Sequence, residues 1–107
     1  MLAETPGDPE LRYMLAMEYV SAGDDAAAAG CFEELLRQYP NGNAVDNAYS
    51  WLAISEGCAG NEQKAKELNR EIVRRFPFTR HATYARNRLA NRSSGMGCYA
   101  GQFYYSY

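Results

Sequence analysis

The sequence has a single histidine, His81, and no cysteine stands at a motif spacing from it, so the usual pairings for nucleophilic or general-base catalysis are missing. It also lacks a glycine-rich phosphate loop, a metal-ligand cluster and a nucleophile elbow, so neither a catalytic residue nor a cofactor is expected. No stretch of 18 apolar residues occurs, which excludes a membrane-spanning helix. Met1 to Gly7 is too short and too acidic to read as a secretion signal. The three cysteines, Cys31, Cys58 and Cys98, form an odd set with no close pairing, which favours a reducing compartment. A cytoplasmic location is therefore expected, with a secreted or envelope-associated one as the alternative if a signal has been removed. The net charge of −2 gives no chain-wide basic surface for nucleic acid or membrane.

What is present is a repeat. The 107 residues suit one domain, and a hydrophobic content of 47% is enough for a thin continuous core. Leu15-Ala16 returns as Leu52-Ala53 and again as Leu89-Ala90. Ala22-Gly23-Asp24 returns as Ala59-Gly60-Asn61, Ala28 as Ala65, Leu35-Leu36 as Ile72-Val73, and Tyr39-Pro40 as Phe76-Pro77. A fixed period of 37 residues marks a stack of similar units, each covering the apolar face of its neighbour. Within a unit, apolar residues three and four apart place one stripe along a helix. Gly23 and Gly60 stand where the first helix must end, Asp24 and Asn61 follow as N-caps, and Pro40 and Pro77 stop the second helix.

This pattern resembles the tetratricopeptide repeat family. Its motif is matched by Leu15-Ala16 with Tyr19, Ala28 with Phe32, and Pro40. Arg12 stands where the family has a large apolar residue, Glu56 replaces the tyrosine of the second unit, and Asn69 replaces its phenylalanine. The longer period is similar to that of bacterial envelope and assembly members. The resemblance spans roughly residues 9–90. It implies a non-catalytic protein-interaction domain, an adaptor or structural subunit.

The expected fold is all-α, a right-handed superhelix of five helices with a non-helical aromatic tail. Residues 1–92 would hold units at about 8–40 and 45–77 and a half unit at 79–92, with 93–107 as the tail. The expected helices run from about Pro9 to Gly23, Asp24 to Gln38, Ala44 to Cys58, Glu62 to Arg75 and Arg80 to Asn91. Leu15, Tyr19, Phe32, Trp51, Leu52, Ile72 and Leu89 are the expected core. Phe103 to Tyr107 has strand propensity.

Four groups of residues are candidates for binding. A concave groove would be lined by Tyr13, Met17 and Val20, then Asn47, Ser50 and Ile54, then Tyr84 and Asn87. It offers no clamp of Lys and Arg in its first unit, so it suits an apolar or extended peptide. Arg70, Arg74, Arg75, Arg80, Arg86 and Arg88 form a basic patch that reads either as a solvated face or as an acidic docking surface. The tail residues Tyr99, Phe103, Tyr104, Tyr105 and Tyr107 would either cap Leu89 and its neighbours or dock on another copy. Asn91-Arg92-Ser93 is a glycosylation sequon. Charge is split along the chain. Residues 1–40 hold eight acids and two arginines, and residues 41–107 hold five acids and nine bases. Two mechanisms are therefore expected to compete: groove binding of a different protein, and head-to-tail stacking of copies of this chain.

Overall fold

Two turns 37 residues apart share one backbone conformation in the computed structural model, which describes residues 9–41 and 45–90 in full and the backbone of 97–99 and 102–104. Gly23 and Gly60 lie at φ 76° and 94°, the left-handed region that a residue with a Cβ rarely adopts. After each glycine the next amide reaches back five residues. Asp24 N–H donates to Tyr19 O at 2.9 Å, and Asn61 N–H to Glu56 O at 2.8 Å. The glycine amides donate to Val20 O and Gly57 O, both at 3.1 Å. These are paired helix-ending motifs that satisfy the last carbonyls of each helix.

The turns separate α1 (Pro9–Ser21) from α2 (Asp25–Gln38) and α3 (Val45–Cys58) from α4 (Glu62–Arg75). A fifth helix, α5 (Arg80–Leu89), follows. Asp24 caps α2 by accepting from Ala27 N–H at 3.2 Å, and Thr79 caps α5 by accepting from Ala82 N–H at 3.2 Å. Asn61 occupies the equivalent position before α4 without making a cap bond. The α2 and α4 ends match too, with Tyr39 and Phe76 at φ −131° and −128°.

Each helix packs against the next in the chain, and α3 also meets α5. The fold is therefore the expected all-α stack with a non-helical tail. Part of that tail is a hairpin, β1 (Gly97–Tyr99) antiparallel to β2 (Gln102–Tyr104), with Cys98 opposite Phe103. Strand propensity pointed to the second of these segments and not to the first. β1 packs against α3, the middle helix of the five.

One buried cluster joins α1, α2 and α3 through Ala16, Ala28, Phe32, Leu36, Ala48 and Leu52. A second joins α3, α4 and α5 through Ala53, Ile72 and Ala85. Alanines at the crossings let the helices approach closely. Of the expected core, Phe32, Leu52 and Ile72 are buried, while Tyr19, Trp51 and Leu89 are half-buried. Leu15 is the correction, being 40% exposed. Successive residues turn about 100° round a helix, so Leu15 lies roughly 200° from Tyr13, the residue that faces α3. The repeat motif places Leu15 on a packing face, but here it is turned away from α3 and only partly covered.

The two departures in the second unit are both buried and both bonded. Glu56 is 3% exposed. Its carboxylate accepts from Asn61 Nδ2 at 2.8 Å and pairs with Lys64 Nζ at 2.8 Å. Lys64 also donates to Glu33 of α2 at 3.0 Å. Asn61 thus uses its amide on Glu56 instead of on a cap. Asn69, 4% exposed, accepts from Arg88 Nε of α5 at 3.0 Å. Burial pushes the Glu56 carboxyl up, but the Lys64 ammonium and the Asn61 amide outweigh it and hold it below the usual carboxylate range.

A depressed folded-state pKa contributes stability above the unfolded value, near 4.3 for glutamate, and that contribution is lost as pH falls through the folded value. Glu56→Gln should therefore lower the unfolding free energy at pH 7 by roughly 1–3 kcal/mol. In urea titrations the gap between wild type and variant should narrow as pH falls below the unfolded value of about 4.3. A gap that stays constant with pH would show that the charge of Glu56 is not what stabilises the turn.

Candidate functional site

The expected groove is mostly filled. On α1, Tyr13 is half-buried and rests edge-on against Phe32, with ring centres 5.9 Å apart at 70°. Its hydroxyl accepts from Asn47 Nδ2 of α3 at 2.8 Å. Burial pushes the Tyr13 phenol above its ordinary range, opposed by a hydrogen bond with the Trp51 side chain. Met17 and Val20 pack against the same cluster. On α3, Ser50 and Ile54 are 5% and 4% exposed. No residue of α3 is exposed, because α2, α4, α5 and β1 enclose it. Asn87 is half-buried, which leaves Tyr84, 38% exposed, as the accessible member of the set. An open groove centred on Ser50 and Ile54 is thus corrected to a covered helix face.

The basic patch is also largely committed. Arg75 lies over the rings of Tyr49 and Phe76, 5.2 Å from each centre, and donates to the Tyr49 hydroxyl at 2.9 Å. Arg74 pairs with Glu71, Arg86 donates to Pro77 O at 3.3 Å, and Arg88 holds Asn69. Arg70 and Arg80 are exposed. His81 sits in the contact of α5 with α3, its Nε2 4.0 Å from Asp46 Oδ2. Burial pushes its pKa down, with Asp46 pulling it up and Arg80 and Arg88 adding to the fall. No group of three potential ligands is arranged for a metal ion among the described residues.

The opposite side of α1 carries a feature that the repeat pattern did not reveal. A cleft of about 250 Å³ runs between α1 and α2, walled by Arg12, Leu15 and Tyr19 on one side and Gly30, Cys31 and Glu34 on the other. The Arg12 Nε is buried and has no hydrogen-bond partner among the described residues. Burial pushes the Cys31 thiol up, and the Arg12 charge opposes it. Glu34 is engaged by Arg37 and by Gln38 Nε2, the latter at 2.8 Å. Met14, at 56% exposure, adds apolar surface to α1. Two signals in the sequence marked the cleft: Arg12 in place of a large apolar residue, and Gly30, which leaves the α2 wall low.

Cys58 is disulfide-bonded and Cys31 is free. The unpaired cysteine set that favoured a reducing compartment is therefore not what the structure has. No helix among the described residues is long and apolar enough to cross a membrane. Asn91, Tyr105 and Tyr107 lie outside the described residues, as do the side chains of Tyr99, Phe103 and Tyr104. No protein-family model and no curated protein matches the chain.

With Tyr13 in the core cluster, Tyr13→Ala should lower the unfolding free energy by roughly 2–3 kcal/mol in urea titration. A loss below about 1 kcal/mol, the scale of an ordinary surface or single hydrogen-bond change, would return Tyr13 to the surface available to a partner.

Proposed function

We propose that the chain is a non-catalytic protein-interaction module of tetratricopeptide-like build, a small adaptor or structural subunit. It meets its partner through the α1–α2 end of the stack. The observation that carries this is Leu15, 40% exposed beside the cleft that Arg12 walls. Repeat stacks ordinarily close their ends with polar faces, because an apolar end invites association. The family reading is supported by the matched turns at Gly23 and Gly60. An apolar side chain could enter the cleft, with an acceptor group reaching the Arg12 Nε. The disulfide at Cys58 favours an oxidising compartment, secreted or envelope-associated, over the cytoplasm.

A second reading, head-to-tail stacking of copies, is favoured by charge. Between Pro9 and Gln38 there are six acids and two bases, a net of −4. Between Glu62 and Ala90 there are three acids and eight bases, a net of +5. Opposite ends steer and orient an encounter, and salt weakens that steering. Tyr84 and Arg80 on α5 would face the cleft of the next copy.

Light scattering across protein and salt concentrations tests both readings. Stacking predicts a mass that rises with concentration, falls with salt, and becomes monomeric in Leu15→Glu. A monomeric mass throughout would sink stacking and leave a different protein as the partner. If Leu15→Glu changed neither self-association nor capture of a partner, the α1–α2 end would not be the docking face.

A further inference from the structure

The covered face of α3 has a second property. Ser50, Ile54 and Cys58 are four residues apart, so they form one stripe along the helix. Ser50 and Ile54 are buried, and Cys58, at the end of the stripe, is in a disulfide. The strand that packs against α3 is β1, and its central residue is Cys98. The chain has three cysteines, and Cys31 is free.

We infer that Cys98 is the partner of Cys58, and that this bond is a reducible latch holding the hairpin against α3. A two-stranded hairpin of three-residue strands has little stability of its own. It therefore needs a tether, and a disulfide closing the chain from Cys58 to Cys98 supplies one by restricting the open ensemble. A dithiol opens the latch in two exchanges. Its thiolate attacks one sulfur to form a mixed disulfide and release a protein thiolate. Its second thiol then displaces the other sulfur, leaving two protein thiols and the cyclic disulfide of the reagent. Once free, the hairpin no longer confines α3. This inference does not depend on the α1–α2 docking reading, which lies on another face.

Peptide mapping of the full chain, purified without reductant and digested with trypsin, tests the bond. The three cysteines fall in different fragments, 13–37, 38–64 and 93–107. The expected result is a linked pair of 38–64 with 93–107, lost on adding dithiothreitol and retained in Cys31→Ser. A link through Cys31, a link between two copies, or three free thiols would overturn the inference. The latch itself is read by hydrogen exchange. Reduction, or Cys98→Ser, should raise the exchange of α3 amides severalfold while those of α1 and α2 change little, and should lower the melting midpoint by on the order of 10 °C. If Cys98→Ser fails to fold, reduction of the wild-type chain gives the same readout. Unchanged α3 exchange in the reduced chain would show that the hairpin is held without the bond, and the latch would be wrong.

Discussion

A carboxylate in the interior sets the order of this fold. Glu56 stands at the end of α3 with 3% of its surface exposed, and a charge so placed is costly unless it is paired and hydrogen-bonded. Lys64 supplies the charge, Asn61 supplies an amide, and Lys64 extends the chain of contacts to Glu33. Three helices, α2, α3 and α4, are joined through a single ammonium. The backbone of the same turn is fixed by the Asn61-to-Glu56 bond, so side chain and main chain specify one geometry. Because α3 is held at this end, its other faces can be shared among α2, α4, α5 and β1.

The two units reach the same backbone by different chemistry. In the first, Tyr19 and Phe32 fill space, and Asp24 is free to cap α2. In the second, both positions are polar, and each has acquired a partner from elsewhere in the chain. Glu56 required an amide where the first unit has a carboxylate, which accounts for Asn61 in place of Asp24: an aspartate there would face Glu56 with like charge. Asn69 is met by Arg88, so α5 is tied to α4 by a hydrogen bond where an aromatic contact would otherwise serve. The same exchange accounts for much of the arginine run. Arg75, Arg86 and Arg88 hold the second unit together, and an arginine engaged with a ring or a buried amide is a weak electrostatic site.

The turn glycines, the cap at Asp24 and the burial of Phe32, Leu52 and Ile72 were legible in the sequence, because each rests on spacing within about one turn of helix or on a backbone conformation that few residues adopt, and the period was legible because it returns them unchanged in kind. The errors share a different cause. Leu15 has the motif's identity, but its burial depends on a neighbour that local spacing does not reveal. Ser50 and Ile54 occupy groove positions, and whether a groove is open depends on which elements distant in the chain pack against α3. Cysteine spacing could not pair Cys58, since sequence alone does not fix disulfide connectivity. Glu56 and Asn69 looked like losses of the pattern, and only their bonding partners, Asn61 and Lys64 for the one and Arg88 for the other, show them as substitutions within it.

The two faces that stand out as binding surfaces obey different constraints. The cleft between α1 and α2 is walled by two helices that already pack on each other, and an occupant there competes with nothing in the described part of the chain. The stripe on α3 is buried, and any ligand for that helix competes with the elements packed on it, among them β1, whose effective concentration is set by the connecting chain. A covalent tether raises that concentration until an external segment cannot displace the hairpin, while its loss returns the competition to ordinary affinities. On the proposed reading, docking at the end of the stack would not require reduction of that tether, whereas access to α3 would.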